Sequence, residues 1–184
     1  MIDVCDPFDI LVNNAGAIPP GTLEEVDEET WRHGWELKVF GYINSCRQAY
    51  ARMKHRGSGV IINVIGTGGE RPVAPYSAGA GGNAALMGLT RAVGGASLED
   101  GIRVVGVNPG PIMTDRLVGS LQFRAEKRFG DGSRWRECLD EYPTLGRPPG
   151  EPEHIADMVA FLASDLSAFT TGTIITIDGG QMGR

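Results

Sequence analysis

Four short apolar, β-branched runs, DILVNNAG, GVIINVIG, RVVGVNPG and TIITIDGG, recur along the chain, and each closes on Asn, Asp or Pro with Gly. None alternates polar with apolar residues, which is the pattern of strands covered on both faces and hence of a parallel sheet held between helices. Helical patterns fill the intervals, at roughly residues 22–55, 79–99 and 151–164. A βαβαβ order followed by helices and a last strand predicts an open parallel α/β sheet with right-handed crossovers. The stretch 113–148 is too long for a tight crossover and predicts helical lobes over the carboxyl edge of the sheet, where such sheets bind ligands. Pro152, between Glu151 and Glu153, suits the start of the last long helix, since an early proline and acids near the positive end favour a helix N-terminus.

Bulk properties narrow the function classes. A chain of 184 residues suits one domain, 1–184, with one core. A net charge of -6 leaves no cationic excess to neutralise phosphates, so nucleic acid is not an expected partner. The three cysteines, Cys5, Cys46 and Cys138, lack both the count of a disulfide framework and the spacing of a zinc site, which points to a reducing cytoplasm. His33, His55 and His154 share no spacing that suits a metal. No apolar run is long enough to span a membrane, and MIDVCDPFDI does not read as an export signal.

At ILVNNAG, at NPGPIMTD and at TGTIITIDGG the chain resembles the short-chain dehydrogenase/reductase family, and the resemblance runs along essentially its whole length. The resemblance implies a partial doubly wound, Rossmann-like parallel sheet of about four strands, the later part of the family's sheet. It implies NAD or NADP as cofactor, a small carbonyl or alcohol substrate, hydride transfer between them and a homo-oligomer. The family's Gly-rich pyrophosphate turn does not precede DILVNNAG. Asp3 and Val4, in IDVCD, are similar to the end of the family's third strand, and removal of strands three, two and one would leave DILVNN as an unpaired apolar edge that needs a cover. GAGGNA, from Gly79 to Ala84, fits a dinucleotide fingerprint in letters only, because no strand leads directly into it.

The resemblance also implies site residues. Asn13, Ala15 and Gly16 match the family's motif bordering the adenosine, although the turn chemistry of Asn and Gly favours holding the turn after the strand over ligand contact. Pro109, Gly110, Ile112 and Thr114 match the loop that binds the nicotinamide amide, or survive as a turn. The family's catalytic Ser, Tyr and Lys fall on Gly66, Gly79 and Asn83, and its helix Asn falls on Lys38. Lys and Asn have thus changed places, which would keep a cation near the site. Tyr76, three residues before Gly79, could lean into the space that the glycine leaves, with Lys38 lowering the phenol's pKa, Asn83 as hydrogen-bonding partner and Thr67 as hydroxyl donor. Two other readings stand beside this rebuilt site: a catalytically silent oligomeric or binding module, and a portion of a longer enzyme. Trp31 and Trp35, four apart, predict a core or subunit-facing stripe.

Overall fold

The computed structural model describes residues 7–139 and 148–183. Asp3, Val4 and Cys5 and the end of the 113–148 stretch, including Glu141 and Tyr142, lie outside the described residues. Four parallel strands, β1 (Ile10–Asn13), β2 (Gly59–Val64), β3 (Ile102–Pro109) and β4 (Ile174–Ile177), form one sheet in the order β1-β2-β3-β4. Register places Asn13 opposite Asn63 and Asn63 opposite Gly106.

The apolar runs lack polar alternation because both faces of the central strands are covered. Ile61, Ile102 and Val104 face Cys46, Ala49 and Met53 of α2 (Gly41–Arg56), with Val93 of α3 (Ser77–Gly94) packed against them. Val60, Ile62, Val105 and Val107 face Leu162 and its neighbours on α6 (Pro152–Ala163). Between α3 and α6 the chain makes α4 (Asp115–Phe129) and α5 (Trp135–Leu139), whose own small core of Leu117, Leu121, Ala125 and Cys138 forms the expected lobe. At β1 the cover runs out. Among the described residues β1 pairs only with β2, and Ile10 and Val12 are 45% and 41% exposed, as expected for an apolar edge.

Helix boundaries differ from the sequence pattern for local reasons. The first long helix opens at α1 (Glu28–Trp35), not near residue 22, because Asp27 accepts from Thr30 N at 2.8 Å as N-cap. The preceding residues are locked in a turn by reciprocal bonds between Thr22 and Glu25. From α1 the helical backbone continues into α2 through a π-helical segment, Glu36–Phe40, which contains the buried Lys38. An inserted residue of this kind rotates the following side chains relative to an α-helix, and such bulges are frequent at functional sites. Helix α3 starts at Ser77, two residues earlier than the pattern suggested, which leaves Tyr76 as its cap residue and makes GAGGNA helical interior and not a strand-to-loop turn.

Candidate active site

The end of β2 organises the carboxyl edge. Ile65 N donates to Val107 O at 2.7 Å, holding the chain against β3 for one more residue. Gly66 then takes φ 120°, a conformation open to glycine and strained for any side chain, and its N–H donates to Asn108 Oδ1 at 3.3 Å. The backbone itself therefore disfavours a serine at this position. Thr67 opens the short 3-10 turn that follows.

Two side chains from different helices end on consecutive carbonyls of this segment. Lys38, 8% exposed, reaches from the π segment and donates from Nζ to Ile65 O at 2.6 Å. It passes close under Gly16, where a β-carbon would stand 2.9 Å from Lys38 Cδ, so the glycine of NNAG gives the lysine its path. Asn83, 2% exposed on α3, donates from Nδ2 to Gly66 O at 3.3 Å, while its Oδ1 is buried without a hydrogen-bond partner. Burial lowers the Lys38 amine to about 8, with the Arg116 guanidinium adding to the effect, because desolvation and a neighbouring cation both disfavour the ammonium.

Tyr76 joins the same cluster through backbone geometry. Gly21 clamps the entrance of α3 by donating to Pro75 O at 2.7 Å and accepting from Ser77 N at 3.3 Å. The ring then folds back over the helix. A β-carbon at Gly79 would fall on the Tyr76 ring, and one at Gly68 would lie 3.3 Å from Tyr76 Cδ1 and 3.5 Å from Asn83 Nδ2. The space left by Gly79 is thus filled by the phenol of Tyr76, by virtue of its cap conformation and not of a shared helical face.

The remaining predicted residues have defined places. Asn13 is buried and fully engaged: Nδ2 donates to Asn63 Oδ1 at 2.9 Å and to Cys46 Sγ at 3.3 Å, while Oδ1 accepts from Ser45 at 2.7 Å. Its side chain serves the turn and the core. Ala15 is exposed and Gly16 half-buried at the mouth of the site. Pro109 ends β3, and Gly110 admits close approach to β4, since a β-carbon there would stand 2.7 Å from Asp178 Cβ. Ile112 bridges to Gly150, and Thr114 caps α4 through Leu117 N at 3.4 Å. Trp35 and Trp31 lie 6.5 Å apart, half-buried, with Trp35 Nε1 donating to Ala78 O at 2.9 Å.

Sequence reasoning missed Arg116. From the first turn of α4 it donates to Gly16 O at 3.0 Å and to Ile18 O at 2.6 Å, across a hundred residues of chain. Its position directly after the TD of NPGPIMTD was the available signal.

The sequence model of the enoyl-(acyl carrier protein) reductase family matches residues 2–182. The chain is 35% identical over 176 residues to a 2-keto-3-deoxy-L-fuconate dehydrogenase of Xanthomonas campestris, covering 95% of this chain and 57% of that protein. It is 33% identical over 178 residues to an acetoacetyl-CoA reductase of Rhizobium meliloti, covering 95% and 68%. A crystal structure of L-sorbose reductase from Gluconobacter frateurii, complexed with NADPH and L-sorbose, superposes with TM-score 0.83 at 29% identity, covering 96% of this chain and 67% of that one. The chain therefore spans a little over half to two thirds of the proteins it resembles.

Proposed function

Because the chain belongs to the short-chain dehydrogenase/reductase family, we propose that it carries the substrate side of an NAD(P)-dependent oxidoreductase acting on a carbonyl or alcohol, with Tyr76, Lys38, Asn83 and Thr67 standing in for the family's catalytic groups. The observation that carries this reading is the phenol of Tyr76 in the space over Gly79, beside Asn83 and the glycine loop whose preceding carbonyl holds Lys38. The residues present fit a nicotinamide ribose. Asn83 Oδ1 is a buried acceptor without a donor, and a ribose hydroxyl supplies one.

When bound, the nicotinamide supplies or accepts the hydride. The chain's own part is proton and charge management. Tyr76 holds or takes the proton of the substrate oxygen at its hydroxyl, while Lys38, held on Ile65 O, is the cation of the site. The Thr67 hydroxyl orients the substrate oxygen in place of the missing serine. Pro109, Gly110, Ile112 and Thr114 border the nicotinamide, and Ala15 and Gly16 the adenosine, where Asn13 acts only through the turn it stabilises. The chain's divergence at the family's serine, tyrosine and lysine positions is part of this reading, as are a cytoplasmic setting and a homo-oligomer. Half-buried Trp31 and Trp35 beside exposed Leu23 and Phe40 support the latter.

Titration of the purified chain with NADH and NADPH, followed by fluorescence, tests the proposal. Micromolar binding is expected, together with a loss of turnover of at least about 100-fold in Tyr76→Phe, the scale of one acid/base group. Absence of binding at millimolar nucleotide, or full turnover in Tyr76→Phe, would reject it.

A further inference from the structure

Arg116 and Lys38 bracket Gly16 from two sides. Arg116 holds its carbonyl, and the Lys38 stem lies where its side chain would be. Both cations are bound by neutral carbonyl oxygens alone, Ile65 O for Lys38 and Gly16 O and Ile18 O for Arg116, and neither forms an ion pair with an acid among the described residues. Two like charges this close repel, and Lys38 is almost fully withdrawn from water, so the arrangement costs stability unless an anion completes it. Arg116 also stands in the first turn of α4, the positive end of the helix dipole, where a cation is unfavourable. Arg116 is an exposed residue although two of its guanidinium nitrogens are pinned. The lobe it belongs to has a small cationic excess: residues 115–139 hold six Lys or Arg against four Asp or Glu in a chain of net charge -6.

We propose that the substrate of this site carries a carboxylate, held by Arg116 at the mouth of the cleft with Lys38 beneath it. This rests on the oxidoreductase reading for the word substrate; the anion site itself does not. A planar guanidinium suits a carboxylate better than any neutral group, and its two carbonyl bonds fix its orientation in advance. A neutral analogue would leave the cation pair uncompensated.

Calorimetric titration with hydroxy acids of three to six carbons, each paired with its neutral amide, with and without NADH, tests the proposal. The expected result is at least one acid that binds about 10-fold or more tightly than its amide, with the ratio shrinking as salt is raised from 20 to about 300 mM. Arg116→Gln should bring the ratio to about one, whereas Arg116→Lys, which keeps the charge, should retain part of it and shows that loss in the glutamine variant is not mere misfolding. Equal binding of acid and amide, binding of neither, or a ratio that survives Arg116→Gln overturns the proposal. So does an Arg116→Gln variant that weakens NADH and leaves the acid-to-amide ratio intact, because the cations would then serve the nucleotide's phosphates. Failure of NADH to bind with the ratio preserved would reject the oxidoreductase reading and leave the carboxylate site standing.

Discussion

Two buried polar clusters lie on β2 and its immediate extension, and they are built on opposite terms. Around Asn63, every group is neutral and answered: Asn63 accepts from Asn13 and donates to Thr90 Oγ1 at 3.0 Å, and Thr90 in turn donates to Leu86 O at 2.8 Å. Two residues further on, the cluster at Ile65 and Gly66 holds an ammonium with no acid, a long amide bond and an orphan carbonyl. Both are shielded from water. The first joins β1, β2, α2 and α3 and leaves nothing for a ligand to do, whereas the second keeps unused donors and an unused acceptor at the edge where ligands bind in α/β sheets. The first cluster is closed by its own hydrogen bonds, and the second is the one the proposed function uses.

The largest effect should come from opening the closed cluster. Asn63→Ala removes two buried bonds, leaving Asn13 Nδ2 only the weak acceptor Cys46 Sγ and Thr90 only Leu86 O, and urea unfolding should show a loss of roughly 3 kcal/mol. Removing the charge from the open cluster should do the reverse. Lys38 titrates near 8 when folded and near 10.5 when unfolded, so the unfolded chain binds the extra proton between those values and native stability rises with pH across that window. Below about pH 8 the full cost of the buried ammonium is present. Lys38→Met should therefore stabilise the protein at pH 7, by at most about 3 kcal/mol less the lost bond to Ile65 O, and the gain should fade as pH approaches 10.5. The difference between wild type and variant isolates this effect, because Cys46, raised by burial to about 11, acts with the opposite sign over an overlapping range in both. A variant that is less stable than wild type at pH 7 would break the contrast between the two clusters.

The sheet was readable from the sequence because a strand covered on both faces must be continuously apolar, and Ile61, Ile62, Val104 and Val105 have no room for a polar residue. Lys38, Asn83 and Tyr76 could be named as candidates from the letters alone. Their arrangement was not legible there. The ring of Tyr76 reaches Gly79 through cap dihedrals of φ -140° and ψ 36° and a clamp from Gly21, which no letter pattern encodes. The π segment that carries Lys38 leaves no mark in WRHGWELKVFGYIN, since its residues are ordinary helix formers. Arg116 was missed because its partners, Gly16 and Ile18, become neighbours only once α4 has folded back over the loop after β1. Glycine was legible as a demand for space and not as the identity of what fills it: Lys38 at Gly16 and Tyr76 at Gly79.

The smallest stability effect should come from Asn83, and it is the sharpest test of the comparison because burial alone predicts otherwise. Asn83 is 2% exposed, close to the fully buried Asn63, so a rule based on depth would assign both the same cost. Bookkeeping by hydrogen bonds separates them. Asn83→Ala gives up one bond, 3.3 Å long, and at the same time removes an Oδ1 that already has no partner, so the two contributions oppose each other. The expected change is within about 1 kcal/mol, read by the same urea unfolding, while affinity for NADH falls about 10-fold, the worth of one well-placed hydrogen bond. Stability loss equal to that of Asn63→Ala, with nucleotide affinity untouched, would mean that the Oδ1 has a structural partner and that both clusters are part of the core. Little stability change with weakened binding would place the unused acceptor where a ligand hydroxyl completes it.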